Sequence, residues 1–265
     1  MIMFKRFILM LMVGGSMLVM TACHTVPYTG RTQFLLTSES EEKQLGDQAW
    51  QELQKQERAD TNPVYVNALT RVGTNISKVV DKPDYKWEFK VFKNDTPNAF
   101  CLPGGKVGVY SGLFKYAAND AELAAVVGHE IGHAIARHGG ERMTQNTIQG
   151  VGAEVMKSAT SDEKMQMAYG LATNLGAILP YSRKHEYEAD YMGLIFMAKA
   201  GYDPRAAITF WEKFGKLSET NALTEFLSTH PGGQNRVSDL EKNLSKAIVT
   251  YNNAPVKRGL GTVYR

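Results

Sequence analysis

The sequence is poor in cysteine and carries little net charge. Only Cys23 and Cys101 occur among its 265 residues, and we expect no disulfide because Cys23 has another predicted use. The 30 basic and 27 acidic side chains nearly cancel, which is not the charge pattern of a nucleic-acid-binding protein. No internal repeat or low-complexity tract is present, so we predict one domain with one substantial core.

An apolar run at the N-terminus is short for a membrane-spanning helix. Lys5 and Arg6 precede the apolar residues 7–20, and small residues then lead to Cys23. This order is typical of a signal peptide, which we predict over residues 1–22. It also resembles a bacterial lipoprotein signal, which implies cleavage before Cys23 and a lipid anchor on that residue. The alternative is an uncleaved N-terminal membrane anchor.

The residues that follow Cys23 lead to predictions of location and domain organisation. His24 rather than aspartate follows the cysteine, and the lipoprotein resemblance then favours the outer membrane, facing the periplasm, over inner-membrane retention. Residues 23–37 are largely polar, so we predict a lipidated tether. We predict the folded domain over residues 38–250 and an irregular C-terminal tail over residues 251–265.

Helical spacing dominates the predicted domain, with one short stretch of strand alternation. Residues 85–91 alternate between apolar and charged, which predicts a half-buried strand, and a second extended segment covers residues 96–114. Residues 38–58 and 62–80 have helical spacing, and the chain beyond residue 119 is mostly helical. We therefore predict an α+β domain that is mostly helical and contains a small antiparallel sheet.

The stretch VVGHEIGHAIARH, residues 126–138, places two histidines and a glutamate on a helix predicted over residues 119–138. His129 and His133 are four residues apart, so their side chains project from one face of that helix. Two neutral imidazoles so placed can bind one zinc ion. Glu130 lies beside that face, where it can reach a zinc-bound water without ligating the metal.

A catalytic zinc ion needs a third protein ligand, and residues 182–193 supply a candidate. Glu186 and Asp190 are four residues apart on another predicted helix, where two carboxylates repel each other. Ligation of the metal by Glu186, with Asp190 hydrogen-bonded to a ligating histidine, removes this repulsion. The alternative is a solvated acidic face.

The remaining polar residues near the two motifs have weaker predictions. We predict that Glu188 faces solvent and that His138 and His185 are polar surface residues. Arg183 is a candidate partner for an acidic group or for the reaction intermediate.

The two motifs together resemble the M48 family of zinc metallopeptidases, within the gluzincin group. The residues HEIGH at 129–133 and EYEAD at 186–190 match the metal-binding motifs of that family. The resemblance extends to PNAFCLPGGKVGVYSGLF and STHPGGQNRVSDL, and it covers residues 39–244. It implies a zincin-like fold whose sheet borders an active-site cleft, one Zn²⁺ per chain, and hydrolysis of peptide bonds. Within the family, the chain resembles soluble, lipid-anchored bacterial members.

The same resemblance implies roles for two further stretches. Asn98, Ala99 and Phe100 border the cleft, where an extended substrate adds as a strand through backbone hydrogen bonds. His230 lies in a loop that related bacterial members place over the zinc. There it either stabilises the oxyanion or occupies the open position and inhibits the enzyme. The alternative is a surface histidine before a helix.

These features predict a zinc metalloendopeptidase of the bacterial cell envelope, which hydrolyses misfolded or unfolded envelope proteins in protein quality control. Its predicted partners are those substrates and a membrane reached through the lipid on Cys23, with no nucleic acid. A second hypothesis is a chaperone or adaptor that binds unfolded envelope proteins while His230 latches the peptidase. A third is a structural zinc site, although such sites often use cysteine and none lies near these ligands.

Overall fold

A computed structural model describes residues 23–159, 179–216, 230 and 236–264, so the predicted signal peptide lies outside the described residues. The helices are α1 (Glu39–Gln56), α2 (Pro63–Ser77), α3 (Asp120–Ile135), α4 (His138–Ala159), α5 (Leu179–Lys199), α6 (Arg205–Lys216) and α7 (Arg236–Asn253). The strands are β1 (Cys23–Thr25), β2 (Thr32–Phe34), β3 (Glu88–Phe92), β4 (Ala99–Leu102) and β5 (Lys106–Tyr110). The predicted α+β class with a mostly helical domain is confirmed.

Strands β3, β5 and β4 form a three-stranded sheet in that order. β4 and β5 make an antiparallel hairpin, whose turn at Gly104 and Gly105 has φ angles of +88° and +89° that favour glycine. β3 pairs with β5 in parallel, with Glu88 opposite Lys106. This sheet is therefore mixed rather than antiparallel throughout, because β5 pairs in parallel with β3 and antiparallel with β4.

Helix α3 lies at the centre of the domain, and each of its residues is buried. The side chain of Asn119 caps the helix by accepting a hydrogen bond from the backbone N–H of Glu122. The helix ends at Ile135, three residues before the predicted end, because Arg137 adopts a left-handed φ of +57°. The chain then starts α4 at His138 in a new direction.

Helices α3 and α5 pack through glycines at unusually close range. A Cβ atom added to Gly193 would lie 2.8 Å from the backbone nitrogen of His129. One added to Gly132 would lie 2.9 Å from the carbonyl oxygen of Ala189. Only residues without a side chain permit this approach of two helix backbones. The contact places the histidines of α3 directly opposite the carboxylates of α5.

The core surrounds this pair of helices. Apolar side chains of α2 and α6 bury fully against α3, and the sheet covers another side of that helix. The largest contributors from these two helices are Leu69, Ile76, Phe210 and Phe214. Burial of such side chains stabilises the fold by about 1.5–3 kcal/mol each relative to solvent exposure.

Residues 23–37 form a packed hairpin, which differs from the predicted tether. β1 and β2 pair antiparallel, and Val26 in the turn between them is fully buried. Arg31 forms ion pairs with Glu141 of α4 at 2.6 Å and with Glu188 of α5 at 2.8 Å. The polar composition misled the prediction, because the charge of Arg31 is neutralised by residues far along the sequence.

The C-terminal residues continue the contacts of the domain. Helix α7 extends to Asn253, past the predicted boundary at residue 250, and residues 254–264 contain no helix or strand. The backbone N–H of Arg258 donates to the carbonyl of Gly201, and the Tyr264 hydroxyl donates to Asp120 at 2.8 Å. Within the described ranges, no helix is both long and apolar enough to cross a bilayer.

Candidate metal centre

Four side chains from three parts of the chain meet at one point. They are His129 and His133 of α3, Glu186 of α5, and His230, and one ligand atom of each lies within 4.8 Å of the others. Nε2 of His129 is 3.1 Å from Nε2 of His133 and 3.3 Å from Oε2 of Glu186. All four residues are at most 9% exposed. Two imidazoles and a carboxylate are the ligand set of many catalytic zinc sites.

Two buried carboxylate oxygens, one in the cluster and one beside it, indicate that a cation fits between the ligand atoms. Among the described residues, Oε1 of Glu130 and Oε2 of Glu186 are buried without a hydrogen-bond partner. A buried carboxylate that lacks a compensating group is energetically costly, and a metal ion between the ligand atoms would compensate it. Burial also lowers the pKa of His133, which keeps that imidazole neutral as a metal ligand must be.

His129 is oriented from behind by a carboxylate and an arginine. Its Nδ1 is 2.8 Å from Oδ1 of Asp190, so a proton on Nδ1 leaves Nε2 free for a metal. Nη2 of Arg236 donates to the same carboxylate oxygen at 2.6 Å, and its guanidinium lies 3.4 Å from the ring centre of Trp211. Asp190 therefore contacts the ring that it was predicted to orient, and its role at a bound metal stays a prediction.

Arg236 is a site residue that the sequence reasoning missed. It lies inside the stretch STHPGGQNRVSDL, so its place in a motif was the available signal. Arg183, the arginine that we considered from the sequence, is exposed on α5. Local spacing does not show which of the two arginines reaches the metal cluster, because α7 brings Arg236 there from a distant part of the chain.

Glu130 lies beside the ligand cluster, in the place expected of a general base. Its Oε1 is 4.0 Å from Nε2 of His129 and 3.6 Å from Nε2 of His230. Burial raises the pKa of Glu130. A carboxylate with a raised pKa is a stronger proton acceptor when it is ionised.

His230 faces the interior of the cluster. Its Nδ1 is 3.3 Å from Oε1 of Glu186 and 3.3 Å from Nε2 of His129. The hypothesis of a surface histidine is therefore wrong, because the surrounding helices bury the ring. Both remaining roles, oxyanion donor and inhibitory fourth ligand, fit this position.

Three residues assigned to the surface from the sequence are buried instead. His138 and His185 are 0% and 3% exposed, and Glu188 is 2% exposed. Nδ1 of His138 is 2.8 Å from Nδ1 of His133, and its Nε2 is 3.1 Å from Oε2 of Glu188. The prediction failed because Glu188 turns away from Glu186 toward Arg31 of the hairpin, a partner that helix periodicity does not reveal.

Asn98 precedes β4, an edge strand of the sheet that contains Ala99 and Phe100 and packs against α3. The carbonyl of Asn98 accepts a hydrogen bond from the backbone N–H of Tyr110, which ties this segment to β5. Burial, with a smaller contribution from the carboxylate of Glu130, raises the pKa of the Cys101 thiol on the same strand. β4 thus lies beside the helix that carries the histidines, and the substrate edge at Asn98, Ala99 and Phe100 stays a prediction.

Comparison with known proteins assigns the chain to a family. A sequence model of peptidase family M48 matches residues 65–244. The mitochondrial metalloendopeptidase OMA1 of Schizosaccharomyces pombe is 36% identical over 244 residues, which is 90% of this chain and 72% of that protein. OMA1 of Arabidopsis thaliana is 41% identical over 197 residues, or 74% of this chain and 37% of that protein. The β-barrel assembly-enhancing protease of Escherichia coli is 27% identical over 224 residues, or 81% and 46%.

These relatives contradict the predicted location in the outer membrane facing the periplasm. Relatives at 36% and 41% identity are named mitochondrial metalloendopeptidases. The choice of the outer membrane over the inner one depended on His24. In the structure this residue lies in strand β1, opposite Gln33 of β2. Cys23 is exposed at the start of β1, and its lipidation stays a prediction.

The region that the family model matches contains all four residues of the metal cluster. Residues 65–244 include both helices that carry the ligands, His230 and Arg236. The match covers more than half of the chain, and the relatives named above are peptidases. The chain therefore belongs to peptidase family M48 and is a metalloendopeptidase.

Proposed function

We propose that this chain is a zinc-dependent endopeptidase that hydrolyses misfolded or unfolded proteins of the bacterial cell envelope. The observation that carries the proposal is the buried cluster of His129, His133 and Glu186, with Glu130 beside it. Two imidazoles and one carboxylate suit zinc and leave a further position for chemistry. One relative, from Escherichia coli, is named for β-barrel assembly, which supports envelope proteins as the substrate class.

The reaction assigns a separate task to each side chain of the site. His129, His133 and Glu186 would hold the zinc ion, which when bound would supply a Lewis acid to acidify water to a pKa of about 7 and polarise the scissile carbonyl. Glu130 accepts a proton from the attacking water and passes it to the leaving amine. Asp190 holds the ring of His129 in the ligating orientation. The substrate is extended along β4, whose outer position suits strand addition.

The role of Glu130 is tested with the variant E130Q, which keeps the shape of the side chain and removes the base. We expect casein hydrolysis to fall at least 100-fold while the zinc content stays at one ion per chain. The exposed Glu241 of α7 gives a matched control, and E241Q should keep the full rate. Full activity of zinc-loaded E130Q would overturn the proposed mechanism.

The identity of the metal is tested by elemental analysis and by reconstitution. We expect about one zinc ion per purified chain, loss of casein hydrolysis after chelation, and recovery on addition of zinc. A chain that keeps its activity after complete removal of metal would refute the proposal.

A second candidate function is favoured by the position of His230. Its ring nitrogen lies at hydrogen-bonding distance from both Glu186 and His129, where it can hold the peptidase inactive while the chain acts as a chaperone or adaptor. In H230A, faster casein cleavage would support the latch, and slower cleavage would support an oxyanion donor. Binding of unfolded substrate without cleavage by either form, with zinc bound, would favour the binding function.

A further inference from the structure

We propose that His138 and Glu188 position the metal ligand His133 through two successive hydrogen bonds. The inference depends on the proposed zinc site and adds positioning residues to it. Nδ1 of His133 faces Nδ1 of His138 at 2.8 Å, and Nε2 of His138 faces Oε2 of Glu188 at 3.1 Å. The two histidines and Glu188 are buried, so water does not replace these bonds freely.

Ligation of zinc fixes the direction of both hydrogen bonds. Nε2 of His133 points into the cluster, 3.2 Å from Oε1 of Glu186, and must present its lone pair to the metal. The ring proton of neutral His133 is then on Nδ1 and is donated to Nδ1 of His138. His138 therefore carries its own proton on Nε2 and donates it to the carboxylate of Glu188. Only this pair of tautomers satisfies all three groups.

Further contacts hold Glu188 in the accepting position. Nε of Arg31 donates to both of its carboxylate oxygens at 2.9 and 2.8 Å, and the Thr29 hydroxyl donates to Oε1 at 2.8 Å. The N-terminal hairpin thus supports the ligand through Glu188 and His138. A hydrogen-bond partner of this kind orients the ring of a ligating histidine and raises its basicity.

The two histidine ligands of α3 are supported by different devices. His129 contacts the carboxylate of Asp190 directly, whereas an imidazole separates His133 from Glu188. His138 has this place because α3 ends at Ile135 and the left-handed Arg137 redirects the chain. His133 and His138 are five residues apart, and in one continuous helix residues with this spacing would face different sides.

A neighbouring carboxylate provides a matched control. Glu141 bonds to the same Arg31 guanidinium and to Nε2 of His185, but it does not contact His133 or His138 by hydrogen bond. Substitution of Glu141 therefore disturbs the buried ion-pair cluster and leaves the His133–His138 and His138–Glu188 hydrogen bonds intact. A variant of Glu141 therefore distinguishes an effect on the stability of the fold from an effect on the positioning of His133.

The experiment measures zinc affinity of the full chain by competition with a chelator. H138F keeps a planar ring but removes both hydrogen bonds, and we expect the zinc dissociation constant to rise about 10–100-fold. H138Q, whose amide oxygen can accept from Nδ1 of His133, should recover part of that loss. E141Q should lower the melting temperature but change the dissociation constant less than threefold. Wild-type affinity in H138F, or an equal loss in E141Q, would overturn the proposal.

A second measurement needs no substitution and covers the case in which H138F does not fold. Nitrogen-15 NMR of histidine-labelled, zinc-loaded wild-type chain reports which ring nitrogen carries each proton. We expect His133 to be protonated on Nδ1 and His138 on Nε2, and the reverse tautomer of His138 would overturn the proposal. A wild-type chain that binds no zinc would instead refute the proposed function on which this inference depends.

Discussion

Arg31 joins the N-terminal hairpin to the two helices behind the metal centre, and its removal should destabilise the whole domain. Its side chain is 10% exposed and bridges Glu141 and Glu188, which are 5% and 3% exposed. The variant R31M keeps much of the apolar stem and leaves two buried carboxylates without their shared cation. We expect the free energy of unfolding at pH 7 to fall by about 3 kcal/mol.

This magnitude follows from the ionisation of the two carboxylates. Burial opposes ionisation, but hydrogen bonds from His185 and Arg31 hold the pKa of Glu141 at about 2. Bonds from His138, Arg31 and Thr29 hold the pKa of Glu188 at about 2 as well. Each difference from the ordinary pKa of 4.5 corresponds to roughly 3 kcal/mol. Because Arg31 shares this effect with other donors and with solvent screening, we assign it about half, or about 3 kcal/mol in total.

Urea unfolding of the wild type, R31M and the control R205M tests this reasoning. Arg205 pairs with Asp203 at the surface, where its side chain is 65% exposed, so R205M should cost less than about 1 kcal/mol. Because the folded pKa values lie below the unfolded ones, the contribution of Arg31 is complete above pH 4.5 and declines toward pH 2. The gap between wild type and R31M should therefore be smaller at pH 3.5 than at pH 7. A loss in R31M no larger than in R205M at pH 7 would refute the reasoning.

Three further predictions concern the metal centre and its helices. D190N removes the charge that orients His129, so the zinc dissociation constant should rise about 10-fold or more in a chelator competition, and an unchanged constant would contradict this role. G193A places a Cβ atom 2.8 Å from the backbone nitrogen of His129, so thermal unfolding should show a loss of about 1–3 kcal/mol; wild-type stability would mean that the helices separate easily. Zinc at 100 times its dissociation constant should stabilise the chain by about 2.7 kcal/mol over the chelated form, and equal melting temperatures would show that the metal does not favour the folded state.

The parts of the site that the sequence predicts are those set by local spacing. His129 and His133 share a face because a helix brings residues four apart together, and the same rule relates Glu186 to Asp190. The apolar residues around the histidines predict one buried flank, whereas the structure buries α3 along its whole length. The α+β class is also predicted from local spacing, because the apolar residues change from helical spacing to strand alternation near residue 85.

The parts that the sequence does not predict depend on contacts between distant residues. Arg31 and Glu188 are 157 residues apart, and no periodicity links them. Arg236 reaches Asp190 from another helix, and its role depends on how α7 packs. The sequence predicts His138 as a polar surface residue, because it does not indicate that Arg137 turns the chain back toward His133.

The glycine contact between α3 and α5 also bears on which ions the centre can accept. The positions of His129 and Glu186 are fixed by two main chains in van der Waals contact, not by side chains that can repack around a larger guest. Calcium prefers six to eight oxygen ligands at 2.3–2.6 Å, whereas zinc takes four nitrogen and oxygen ligands at about 2.0–2.2 Å. For the proposed zinc ion, a fixed backbone spacing would add to ligand chemistry as a reason for the site to bind a small cation rather than calcium.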